Sequence, residues 1–310
     1  MKCVRWLGMV LFCLDAGAGT AEGGDLPKID TQLLHPSWMS QDFVYIQQSA
    51  ALEPGFQWDY WLAYTHGTLV YERFTTQELM AHVAQVNAFA GWARENTLLQ
   101  MEVPVYLQSW GGQAPRELGF GDVRLGLLQH LWEKPTGSLA VSMSAYFGLP
   151  TSTMDGALGS KKTSAGGLFS VDGGSDTWGW SLNWGYEFVP DRELENFVFG
   201  PRVVLGLGAS WSPRDDFGVA VEGMARTQAN LNWAPGGTPV ELMVSGWGHG
   251  RRGTWKVGLG GALHSGVGAA QVRSVLSYIP SRGFFSGPAT PEFESDGTEL
   301  DDGVETDSGE

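Results

Sequence analysis

Only 17% of the 310 residues are charged, yet the chain carries 44 glycines and 14 tryptophans, a mixture foreign to an ordinary soluble domain. The net charge of −15 is misleading as a guide to partners. Much of it sits between Glu292 and Glu310, the rest of the chain is close to balanced, and no nucleic-acid partner is expected.

The N-terminus is built like a secretory signal, with Lys2 and Arg5 ahead of an apolar run from Trp6 to Leu14. Ala16-Gly17-Ala18 and Gly19-Thr20-Ala21 both suit cleavage, so residues 1–21 are expected to be removed on export. The apolar run is about half the roughly 20 residues needed to span a bilayer. Phe12 ahead of Cys13 argues against lipidation. Both cysteines, Cys3 and Cys13, lie in this segment, so the mature chain has neither disulfide nor cysteine metal ligand. Residues 22–56, with Leu34-His35-Pro36 and Leu52-Glu53-Pro54-Gly55, read as an irregular periplasmic lead.

From about Gln57 the chain divides into segments of alternating apolarity, each long enough to cross a hydrocarbon core as a tilted strand of roughly 9–11 residues. Strands are predicted near 57–65, 80–94, 97–107, 119–132, 137–149, 161–171, 177–188, 196–211, 215–228, 239–248, 254–263 and 270–279. That is about twelve, an even number as single-chain bacterial barrels require. In Trp178 to Phe188, residues Trp178, Trp180, Leu182, Trp184, Tyr186 and Phe188 share one face, opposite Gly179, Ser181, Asn183, Gly185 and Glu187. Leu139 to Leu149, Val123 to Leu131 and Trp255 to Leu263 split the same way, with charges on the face turned from lipid. No segment shows the 3.6-residue period of a helix.

Tight turns at 94–96, 133–136, 172–175, 212–215 and 249–252 alternate with mostly longer links near 66–79, 108–118, 150–160 and 229–238. Short periplasmic turns and longer external loops are the outer-membrane pattern, which places both barrel ends in the periplasm. The links at 189–195 and 264–269 are short for external loops. The expected fold is therefore all-β: an antiparallel up-and-down transmembrane barrel over 57–280, followed by a disordered acidic tail over 281–310.

The barrel region resembles the N-terminal barrel of OmpA-family outer-membrane proteins in which a larger barrel precedes acidic calcium-type repeats. The resemblance rests on the order and spacing of Leu52-Glu53-Pro54-Gly55, Glu102-Val103-Pro104-Val105-Tyr106, the stretch from Gly119 to Gly126, Gly148-Leu149-Pro150-Thr151, and Val272 to Tyr278. It implies residence in the cell outer membrane. Asp296-Gly297, Asp301-Asp302-Gly303 and Asp307 look like the truncated start of such a repeat, without the peptidoglycan-binding domain that follows in the family.

The candidate site is the inward-facing set Glu102, Asp122, Arg124, Glu187, Arg202, Glu222, Arg226, Lys256 and Arg273, which either lines a water-filled pore or pairs across the lumen as a plug. His264-Ser265 at an external turn is the one candidate for lipid-directed catalysis, and an adjacent pair is a weak signal for a nucleophile and its base. The acidic tail lacks the ligand alternation of a calcium loop, and no cofactor or metal is expected. Gly206 with Gly208 and Gly258 with Gly260 lie within strands with no helix after them, unlike nucleotide loops. The expected function is a non-enzymatic structural component or small passive channel. Its expected partners are outer-membrane lipid, lipopolysaccharide and the barrel-assembly machinery acting on the last strand. A lipid-modifying barrel enzyme and a soluble Trp-rich protein binding carbohydrate are the alternatives.

Overall fold

The computed structural model describes residues 35–37, 42–49, 54–72, 76–110, 118–154, 158–159, 162–194, 197–229, 238–264 and 268–281. The expected signal peptide and almost all of the acidic tail lie outside these residues.

Fifteen strands follow in chain order: β1 (Gly55–Glu72), β2 (Thr76–Arg94), β3 (Thr97–Trp110), β4 (Gly119–Phe120), β5 (Arg124–Glu133), β6 (Leu139–Gly148), β7 (Ser164–Gly174), β8 (Trp178–Phe188), β9 (Arg192–Leu194), β10 (Phe197–Phe199), β11 (Arg202–Arg214), β12 (Phe217–Gln228), β13 (Val240–Gly250), β14 (Gly253–His264) and β15 (Val272–Pro280). The short β4 and β5 pair with the same edge of β3, and β9 with β10 forms a separate hairpin. Twelve antiparallel staves remain, and they close on themselves because β1 pairs with β2 on one side and with β15 on the other, from Tyr60↔Tyr278 to His66↔Val272. Closure leaves no unpaired sheet edge, which a structure bathed in lipid requires.

The two faces of the wall differ as the alternation dictates. Along β8 every outward residue from Trp178 to Phe188 at even positions is exposed, while Ser181, Asn183 and Glu187 are buried. Outward aromatics gather at the short-turn end, with Phe56, Trp92, Trp132, Trp178, Trp211, Phe217 and Trp255, and leucines and valines such as Leu127, Leu205, Leu207, Val221 and Val257 cover the middle. Phe120, Phe147 and Phe188 mark the opposite rim. Trp61 and Trp247 depart from this rule, being buried inside the barrel.

Three boundaries differ from the sequence expectation. The β1–β2 hairpin runs well past the link placed at 66–79, with pairing out to Glu72↔Thr76. Bulges between His66 and Val70, with Gly67 at φ 67°, break the two-residue period there and hid the strand. Residues 196–201 are not part of β11, which begins at Arg202. Pro201 has no N–H for a ladder, and the β9–β10 hairpin makes this external link longer than it looked. The third difference concerns the lead and forms the site.

Candidate functional site

Residues 42–49 were expected outside the barrel and instead lie within it. Phe43, Val44 and Ile46 are 1%, 0% and 0% exposed, and they pack with Trp61, Phe89, Leu98, Leu128, Val204, Met224 and Met243 from the inner wall. The segment is apolar enough to leave water. It forms no strand, so its backbone needs partners supplied by side chains of the wall.

The wall supplies them residue by residue. The Glu222 carboxylate on β12 accepts the N–H groups of Val44, Tyr45 and Ile46 at 2.6, 2.7 and 3.0 Å. Asn183 on β8 clamps Gln47 from both sides, accepting its N–H at 2.7 Å and donating to its carbonyl at 2.8 Å. Lys256 on β14 donates to the Phe43 carbonyl at 3.1 Å. At the far end the Ser49 N–H donates to Asp172, its carbonyl accepts from His130 Nδ1 at 2.7 Å, and its hydroxyl donates to Ser142 at 2.9 Å. Ser37 folds back to donate its N–H to the Val44 carbonyl at 2.8 Å, and His35 meets Glu102 at 3.3 Å.

The wall is also cut to fit. A Cβ added at Gly206 would lie 2.6 Å from Ile46 Cδ1, and one at Gly208 would lie 2.6 Å from Phe43 Cε1. These strand glycines make room for a strap, which is why the backbone of β11 approaches it so closely.

The predicted charges fall into two groups around the strap. Glu222 and Lys256 hold it directly. Towards the long-link end, Arg124 donates to Glu102 at 3.0 Å, and Arg273 makes a bidentate pair with Glu241 at 2.9 and 3.0 Å. Arg202 and Arg226 both face Glu187, at 3.9 and 3.6 Å. Asp122 stands apart at the rim between β4 and β5, where it accepts the Ser152 N–H at 3.0 Å and fastens the external link. His264 is exposed and its Nδ1 meets the Thr238 carbonyl at 2.9 Å, an arrangement that orients the ring without a carboxylate; Ser265 lies outside the described residues.

Asn183, His130, Asp172, Glu241 and the two glycines of β11 were not among the predicted site residues. Glu241 was in plain view on the inward phase of its strand. The others line the lumen for a partner that sequence could not place. The one available signal was Phe43-Val44-Tyr45-Ile46, the longest apolar run of the lead. On the opposite wall, Asp59, Asn87 and Gln100 are buried with side-chain polar atoms that meet no hydrogen-bond partner among the described residues. No group of metal-ligating side chains occurs among the described residues.

No protein-family model and no curated protein matches the chain. Solved structures do. The COG4313 outer-membrane channel from Pseudomonas putida F1 superposes with a TM-score of 0.61 at 14% identity, covering 77% of this chain and 99% of that one. The NanC porin follows at 0.51 and 9%, covering 72% and 98%. At such identities the likeness shows the fold alone: the chain is an antiparallel, closed, twelve-stranded barrel of the kind those outer-membrane proteins have.

Proposed function

We propose that the protein is a non-enzymatic barrel of the outer membrane, a passive channel held shut at rest by its own N-terminal strap. The observation that carries this reading is the seating of residues 42–49 across the lumen on Glu222, Asn183 and Lys256. The membrane part is supported by the outward belt of leucine and valine between aromatic rims, a surface with no partner among the described residues and suited to lipid tails. Lipid and lipopolysaccharide are then the immediate partners, and the assembly machinery acts through β15. Kinship with OmpA-family barrels rests on the order of the strand motifs. The non-enzymatic part rests on the sequence, where an adjacent His264-Ser265 pair is a weak signal for a base and its nucleophile.

Planar-bilayer recording on refolded protein tests the reading. Wild type gives rare, small steps. Glu222→Ala removes the acceptor of three backbone N–H groups, each costing about 1–3 kcal/mol when buried unmet, and raises open probability at least tenfold. Heat-modifiable migration on gels shows that the variant barrel is intact. Silence from both proteins would make the barrel purely structural, and large steady steps from wild type would contradict the closed state.

A further inference from the structure

The three arginine–glutamate clusters of the upper lumen are not equivalent. Arg273–Glu241 and Arg124–Glu102 are closed at 2.9–3.0 Å. The third has two guanidiniums for one carboxylate, and neither touches it: Arg202 Nε stands 3.9 Å and Arg226 Nη1 3.6 Å from Glu187 Oε2. Glu187 Oε1 is taken by the Tyr146 hydroxyl at 2.7 Å. Glu187 Oε2, Arg202 Nε and Arg226 Nε have no hydrogen-bond partner among the described residues, although Arg226 is more than nine-tenths buried. Buried guanidinium N–H groups are rarely left unmet, and a surplus of positive charge in a low-dielectric interior calls for an anion.

A cavity of about 50 Å³ opens beside this cluster, between strap and wall. Arg226 and Arg124 face it from the wall, and Tyr45 and Gln47 from the strap. Val204, Leu168 and Met224 complete it with an apolar side. We infer that this cavity binds a small organic carboxylate, its head on the free Arg226 edge and its short alkyl end against Val204, Leu168 and Met224. Guanidinium matches the planar carboxylate, and the apolar side distinguishes such an anion from chloride or phosphate. Arg124 contributes field more than contact, since it is already paired with Glu102 and stacked 4.1 Å over the Tyr146 ring.

Isothermal titration calorimetry of the detergent-solubilised full chain with sodium propionate tests the site, at ionic strength held constant with sodium chloride. The measurement needs no conductance, so its failure is distinct from failure of the channel reading. Saturable binding at one site per chain is expected, weakened at least tenfold in Arg226→Gln and unchanged in Arg251→Gln on an exposed turn. Should Arg226→Gln lose heat-modifiable migration, Arg226→Lys, which keeps the charge but removes the planar fork, takes its place with the same expected loss. No saturable binding to wild type, equal affinity in the folded arginine variant, or equal displacement by chloride and phosphate would overturn the assignment.

Discussion

At the scale of single residues, the lumen is organised around backbone groups that have no strand to pair with. Glu222 does for residues 44–46 what a neighbouring strand does elsewhere, presenting two oxygens to three consecutive N–H groups. Gly208 matters for the opposite reason, because anything larger occupies the place of the Phe43 ring. Gly208→Val therefore leaves the barrel able to assemble but drives the strap from its seat. Limited proteolysis of detergent-extracted protein is expected to trim the N-terminal segment of the variant at least tenfold faster than that of wild type. Equal protection would mean that the lumen accommodates the extra methyls without releasing Phe43.

In each strand of the wall, alternation assigns successive residues to the outer face or to the lumen. Leu205 on β11 is 41% exposed on the outer face, whereas Arg202 on the same strand points towards Glu187. Leu205→Arg places a charge against hydrocarbon, costing about 2–4 kcal/mol near the midplane, and is expected to block membrane assembly. Arg202→Ala is expected to assemble normally. Heat-modifiable migration of membrane-extracted protein reads both, and similar behaviour of the two variants would show that the face assignment is wrong.

The same alternation explains how much was legible in advance. In β8, β12, β14 and β15 one residue's phase determines the others, and Glu187, Glu222, Lys256 and Arg273 are buried on the inward phase of their strands. Where the period breaks, the reading breaks with it. The bulges after His66 disguised the outer half of the first hairpin, and Pro201 shortened β11. The strap was illegible for a different reason: a segment without periodicity declares its contacts only through its partners. Glu222 was visible as an inward charge, but its role as acceptor for residues 44–46 spans a separation of 176–178 positions that no local pattern records.

At the scale of the whole molecule, the barrel resembles a soluble protein turned partly inside out. Its outside is apolar, and its interior holds both an apolar cluster around Phe43, Ile46, Trp61 and Leu128 and a set of ion pairs above it. The filling precedes β1 and takes no place in the sheet, so its removal would leave the barrel's own ladder intact. Residues 42–49 occupy the lumen of the barrel, and a crosslink reads that placement directly. The chain beyond residue 21 has no cysteine, so an introduced pair is unambiguous. A Cβ at position 258 would lie 3.5 Å from Val44 Cγ2 and 2.9 Å from Met243 Sδ, the flexible end of a side chain that must swing aside. The double variant Val44→Cys, Gly258→Cys, isolated from outer membranes, is therefore expected to form an intramolecular disulfide, seen after boiling as a faster gel band that reductant abolishes. If the two thiols instead remain free and react with a membrane-impermeant maleimide, the strap does not sit in the lumen and the closed-channel account is wrong.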